Sequence, residues 1–278
     1  MININGELVF QADQDWTSNR SFLYGDGIFD TLKIVDGQVL FLEDHYFRLM
    51  ASLRIVRMEI PMDFTMEHFE AELIKTAQVN LCADSARARI TFYRDSSGFY
   101  LPKTSQVKYV IRVSALEQKS YTCSTQTYEV DLYKDFHVAK NLLSTLKTTS
   151  KMIHVTGSIF AQENGYQNCL LINDDKNIVE ALNGNLFMLK DKKLTTPPIS
   201  EGCLNGVMRK RVIQLAQKVE GIQVAEAIIS PFDLQNADEL FITNVINGIQ
   251  PISQYRKKKY TGELSIKLTQ LLNESIKS

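Results

Sequence analysis

Residues 86–94 read ARARITFYR, a strict two-residue alternation. Successive side chains of a strand point to opposite faces of a sheet. Arg87, Arg89, Thr91 and Tyr93 therefore share one face, and Ala88, Ile90, Phe92 and Arg94 share the other. Such a strand must bury its apolar face under helices or a second sheet, while its polar face stays open. Arg94 ends the apolar face, either snorkelling at a strand edge or projecting into a cavity. A hairpin is signalled nearby, where residues 32–35 and 38–41 flank Asp36-Gly37, a turn pair that tolerates positive φ.

The remaining periodicities extend this layer and then begin another. Phe47, Met50 and Leu53 recur at helical spacing behind Glu43 and Asp44, acidic residues placed where the helix dipole favours them. A second helix is predicted over 64–79, capped by Asp63, with Phe69, Leu73 and Ala77 on one face. Residues 107–113 read as another strand, and residues 116–125 are polar and aperiodic. Beyond them come a strand near 128–133, a helix over 152–164 stopped by Gly165, and strands near 169–173, 185–189 and 191–196. A helix opens after Gly206 with Met208, Val212, Leu215 and Val219 on one stripe; a buried strand follows from 239, and a closing helix over 264–276. Strands and helices mix without βαβα alternation, so the class is α+β. The chain's 278 residues exceed what one ordinary core organises. Two domains are expected: a small N-terminal α/β domain over 1–115, a linker over 116–125, and a larger mixed α/β domain over 126–278.

Charge and composition exclude several functions. Lys+Arg is 31 and Asp+Glu 32, a net charge of −1, so the basic excess of a nucleic-acid binder is missing. No stretch approaches the length of a membrane span, and MININGELVF lacks the pattern of a signal peptide. The four cysteines form no CxxC pair and the four histidines are scattered, which signals neither a metal site nor a disulfide framework. The expectation is a soluble cytoplasmic protein with no metal, no membrane and no nucleic-acid partner.

Three segments bear on chemistry. Gly25-Asp26-Gly27 lacks the third glycine of a dinucleotide fingerprint and reads as a tight turn. Residues 201–209, EGCLNGVMR, deliver a glycine-containing loop into an amphipathic helix, whose free N–H groups suit a phosphate or carboxylate. Lys147, in LKTTS, and Glu180, inside an otherwise apolar strand, are either surface charges or a site lysine and a partnered buried carboxylate.

Read in order, YGDGIFDT, DHYFRL, LKTTSK, E-x-x-x-x-N-L-F, TTPP, NGVMR, ADELFITN and QPI resemble the class IV aminotransferases, pyridoxal-phosphate (PLP) enzymes of fold type IV, over nearly the whole chain. The resemblance implies PLP as cofactor, a small-molecule amine or amino-acid substrate and a homodimer. Lys147 matches the lysine bonded to the cofactor, Glu180 the carboxylate facing the pyridine nitrogen and Arg48 the phosphate clamp. Val207 and Met208 match backbone donors at the phosphate-binding helix, and Asn244 and Val245 a second phosphate-binding turn. By family position Tyr24, Phe29, Thr31 and Arg94 face the substrate.

Three departures stand out. Leu182 occupies a position the family fills with a small residue; Met152 stands where branched-chain enzymes carry tyrosine; Phe99 replaces an arginine after the substrate strand. NGVMR and the Ile-Asn-Gly opening are most similar to 4-amino-4-deoxychorismate lyase, which releases pyruvate and 4-aminobenzoate, a folate precursor. An aminotransferase for branched-chain or D-amino acids, or an inactive cofactor-binding homologue, is the alternative.

Overall fold

The computed structural model describes residues 1–10, 16–124 and 126–277. Thr125, the last residue of the expected linker, lies outside them. The chain divides into two compact units. The first comprises Met1–Lys119 with Lys147–Ser150, and the second Ser120–Leu146 with Lys151–Ser278.

The first unit contains β1 (Ile2–Ile4), β2 (Glu7–Val9), α1 (Arg20–Tyr24), β3 (Gly27–Val35), β4 (Gln38–Val39), α2 (Leu42–Ile55), α3 (Met66–Val79), β5 (Ser85–Arg94) and β6 (Val107–Ala115). Its antiparallel six-stranded sheet has the order β2-β1-β6-β5-β3-β4. The alternation in β5 produces the expected two faces. Ala88, Ile90 and Phe92 are buried with Leu32, Ile34 and Ile111, and α2 and α3 add Leu49, Leu53, Phe69 and Leu73 to the buried set. On the opposite face, Phe29, Thr31 and Lys33 of β3 lie directly across from Thr91, Arg89 and Arg87 of β5. The cap of α3 falls two residues later than expected: Thr65 Oγ1 accepts from His68 N at 3.2 Å. Asp63 stands two residues earlier, where its carbonyl accepts from Thr65 N.

The second unit contains β7 (Glu129–Val138), α4 (Met152–Glu163), β8 (Asn168–Asn173), β9 (Ile178–Ala181), β10 (Asn185–Lys190), β11 (Lys193–Thr196), α5 (Val207–Ala216), β12 (Gln223–Glu226), α6 (Pro231–Gln235), β13 (Glu239–Asn244), β14 (Gly248–Ile252), β15 (Gln254–Tyr255), β16 (Lys258–Lys259) and α7 (Glu263–Lys277). Two five-stranded sheets, β16-β15-β7-β8-β9 and β12-β11-β10-β13-β14, share a core of Val130, Leu170, Ile172, Leu186, Leu240, Ile242 and Ile252. The first sheet also packs against α4 through Tyr133, Cys169, Leu171, Val179 and Ala161. Buried Glu239 of β13 accepts from Leu264 N at 2.7 Å and Ser265 N at 3.2 Å, satisfying orphan donors in the first turn of α7. Among the described residues no helix is long and apolar enough to cross a membrane.

The polar stretch 116–124 is pinned at both ends. Leu116 N donates to Ser85 O, while Tyr121 N donates to Asn273 Oδ1 at 2.9 Å. By chain position Lys147 was expected with the second domain. Residues 147–150 instead join the first unit, because they pair with the part of β3 that β4 leaves open: Phe29 N donates to Lys147 O at 2.8 Å, and Thr149 N to Gly27 O at 2.9 Å.

Candidate active site

The GDG segment brings this pairing about. Gly25 caps α1 with φ 66°, a left-handed conformation that glycine adopts without penalty. At Gly27 a Cβ would meet Ser21 Oγ at 2.5 Å and Phe92 O at 3.0 Å, so only glycine lets α1, β5 and residue 149 approach. Ser21 Oγ donates to Thr149 Oγ1, which donates to Gly25 O at 2.9 Å. Lys147 is thereby held beside Phe29, its Nζ 4.8 Å from the ring centroid. The Arg89 guanidinium lies over the same ring at 3.7 Å. Burial, and then the charge of Arg87, lowers the Arg89 pKa, and burial lowers that of Lys33 on the same face. An anion placed there would relieve both costs.

The other substrate-side candidates have defined surroundings. Thr31 is buried on the Arg89 face. Tyr24 is exposed, with its ring 5.0 Å from the Arg20 guanidinium carbon. Arg94 differs from expectation. Its Nη2 donates to Val56 O at 2.9 Å, its Nη1 to Arg57 O at 3.0 Å and its Nε to Asp26 Oδ2 at 3.1 Å. It satisfies orphan carbonyls after α2 and sits on the helix-packed face, so its guanidinium is committed to the fold. Phe99 lies in an exposed loop whose carbonyl accepts from Arg20 Nη1 at 2.6 Å.

Arg48 belongs to a buried triad the sequence reading missed. Its Nη2 donates to Asp30 Oδ1 at 2.5 Å and its Nε to Asp30 Oδ2 at 3.1 Å, a bidentate pair. His45 Nδ1 lies 3.2 Å from Asp30 Oδ1. Burial opposes the Asp30 charge, but the Arg48 cation beside it, with His45, holds the carboxyl well below its ordinary range. Burial lowers the His45 pKa against the pull of Asp30, and the same Nδ1 lies 3.3 Å from Arg48 Nη2. The triad fixes Arg48 from inside the first unit.

In the second unit, Glu180 is 6% exposed on β9. Its Oε2 accepts from Leu204 N at 3.0 Å, and its Oε1 lies 3.7 Å from His154 Nε2 of α4. Asn185 of β10, also missed in the sequence, donates from Nδ2 to Leu204 O at 2.8 Å. Two side chains thus hold both ends of the Leu204 unit and aim the chain into α5. Gly206 is the N-cap of α5, with no side-chain cap, and a Cβ there would collide with Asn185 Oδ1. The first-turn N–H groups at Val207 and Met208 are left to a ligand or solvent. Buried Arg209 ties this turn to Pro197 O at 2.9 Å and Glu226 Oε2 at 2.5 Å. At the end of β13, Asn244 Oδ1 accepts from Ile246 N at 3.1 Å and Asn247 N at 2.9 Å, and Val245 O accepts from Tyr121 Oη at 2.7 Å. Thr243 Oγ1, adjacent and buried, has no hydrogen-bond partner among the described residues.

An anion-ready helix start, a buried carboxylate and a lysine beside an aromatic ring are the parts the sequence motifs anticipate. A model of the amino-transferase class IV family matches residues 27–255. The chain belongs to the class IV aminotransferases. Within this family it is 30% identical to a Methanocaldococcus jannaschii protein assigned as a branched-chain-amino-acid aminotransferase, over 96% of this chain and 93% of that one. It is 26% identical to the aminodeoxychorismate lyase of Vibrio harveyi, over 84% and 85%. The structure of branched-chain aminotransferase from Thermoproteus uzoniensis superposes with TM-score 0.87 at 21% identity, covering 99% of this chain and 94% of that one. That of 4-amino-4-deoxychorismate lyase from Pseudomonas aeruginosa does so with TM-score 0.84 at 23%, covering 100% of both. The fold is that of the fold type IV PLP enzymes. The residues of this class IV chain fit PLP: the uncapped start of α5 and the orphaned Thr243 hydroxyl suit a phosphate, and Glu180 suits a protonated ring nitrogen.

Proposed function

We propose that the chain is a PLP-dependent 4-amino-4-deoxychorismate lyase. The observation carrying this reading is the cationic face beside Lys147. Arg89 lies on Phe29 next to the lysine, with Arg87 and Lys33 behind it on the same face. A branched aliphatic side chain gains nothing from such a surface, whereas a substrate with two carboxylates does. Arg89 would bind a substrate carboxylate, on the face opposite Arg94, which was expected on the substrate side. Phe29, Thr31 and Tyr24 are the remaining substrate-side residues.

Val207 and Met208 N–H, the Asn244–Val245 turn and Arg48 would hold the cofactor phosphate, and Glu180 the pyridine nitrogen. When bound, PLP supplies an electron sink for the charge left on the substrate when a C–H bond breaks. Lys147 Nζ takes the proton carried by the amine-bearing ring carbon. The enolpyruvyl C–O bond then breaks, the ring becomes aromatic as 4-aminobenzoate, and the proton passes to the departing enol carbon to complete pyruvate. Arg89 keeps the substrate carboxylate fixed while charge moves. The proposed setting is a cytoplasmic homodimer.

A second reading, transfer of an amino group from a branched-chain or D-amino acid, is supported by the Methanocaldococcus jannaschii relative, which aligns nearly end to end. A side-by-side assay separates the two. The lyase releases pyruvate from aminodeoxychorismate without any keto acid; turnover that requires a keto-acid acceptor refutes the lyase reading. An inactive homologue would do neither. Lys147→Ala should abolish both turnover and borohydride trapping of PLP, and trapping that persists at Lys140 or Lys151 would identify another lysine.

A further inference from the structure

A concavity of about 300 Å³ lies within the second unit, between one end of the β7–β8 sheet, α6 and the β15–β16 turn. Its floor is Leu132, Ile172 and Pro231, of which Leu132 and Ile172 also belong to the inter-sheet core. Phe232, 77% exposed, stands at its wall. Three exposed cations, Lys134, Lys176 and Arg256, surround this apolar floor, and no carboxylate is among the lining residues. Two acids behind the lining pair with it: Asp131 lies 3.5 Å from Arg256 Nε, and Asp174 lies 3.3 Å from His137 Nδ1, which leaves Lys134, Lys176 and Arg256 in excess over the two carboxylates. Lys176 is positioned by a relay. Its ammonium donates to His137 Nε2 at 3.0 Å, which requires the tautomer whose Nδ1–H donates to Asp174. An excess of positive charge around a low-dielectric recess favours an anion in the recess. The volume is at the small end for ligand pockets.

We propose that this pocket binds a small organic carboxylate with a flat or branched apolar body: the body rests on Leu132, Ile172 and Pro231, and the carboxylate meets Lys134, Lys176 and Arg256. The site is separate from the lysine chemistry and does not depend on the lyase assignment. Benzoate, with neutral benzamide as control, tests it on the intact PLP-loaded protein by ligand-observed NMR titration. Benzoate should saturate the site and benzamide should bind at least tenfold more weakly. The double variant Lys134→Gln/Arg256→Gln should weaken benzoate at least tenfold and leave turnover without benzoate unchanged, since both side chains are exposed. Lys147→Ala should leave benzoate binding intact. Equal binding of benzoate and benzamide, no effect of the double variant, or loss of binding in Lys147→Ala would each overturn the proposal.

Discussion

Asp30 shows how much one buried side chain can carry without touching substrate. It holds Arg48 by two hydrogen bonds and His45 by one. The folded protein keeps this carboxyl ionised to lower pH than the unfolded chain does, where it titrates near 4. Its stabilising contribution is therefore complete above about pH 4 and is lost as pH falls below that. Asp30→Asn should cost about 3 kcal/mol at pH 7 by removing the ionised partner that holds Arg48 bidentately, and the gap to wild type should narrow towards pH 2. Urea unfolding at both pH values checks this; a gap that stays constant contradicts it. Asp30 sits in the YGDGIFDT motif, yet nothing local marks it as buried. Arg89 was partly legible, because the alternation of β5 places it opposite the core face. Its contact with Phe29 was not. Arg94 misled because the end of a strand looks alike whether the side chain enters a cavity or binds a helix end.

Between elements, α4 and β9 illustrate a compensation. Leu182, at a position where a small residue was expected, packs where Gly157 of α4 has no side chain: a Cβ on Gly157 would lie 2.6 Å from Leu182 Cδ2 and 3.2 Å from Tyr133 Cδ1. The large residue is thus accommodated by a small one on the facing helix. Gly→Ala in an open helix interior would gain about 1 kcal/mol. Gly157→Ala should instead lose about 1–3 kcal/mol through overpacking. Combined with Leu182→Ala the loss should be relieved, giving a coupling of about 1 kcal/mol or more in a denaturation cycle; additive effects would refute the contact. The five longer helices, β5 and the loop into α5 were readable because their periodicities and turn residues are local, whereas the five-residue α1 and α6 were not among the expected elements. The cap of α3 slipped because Asp63 and Thr65 can both cap, and the fold of the preceding turn selects the intrinsically weaker Thr65.

Taken over the full chain, the excursion of residues 147–150 is the largest departure from the linear domain reading. Two backbone hydrogen bonds tie these residues to β3, so the candidate lysine is positioned by the first unit although its flanking residues belong to the second. Thr149→Pro removes the N–H donated to Gly27 O. It should lower protection of the Phe29 amide in hydrogen exchange by about tenfold, near the worth of one net hydrogen bond, and should reduce turnover with it. Unchanged protection would show that the pairing is not what holds residue 147. Periodicity and turn chemistry set the element types in advance, and the ordered motifs set the family, because each is written within a few consecutive residues. Which residues meet was decided by how the elements pair and pack: Lys147 with Phe29 by backbone pairing, Asp30 with Arg48 of α2, and Asn185 with the loop before α5 through their side chains. Those pairings follow from burial and hydrogen-bond satisfaction summed over each unit, which no short window of sequence contains.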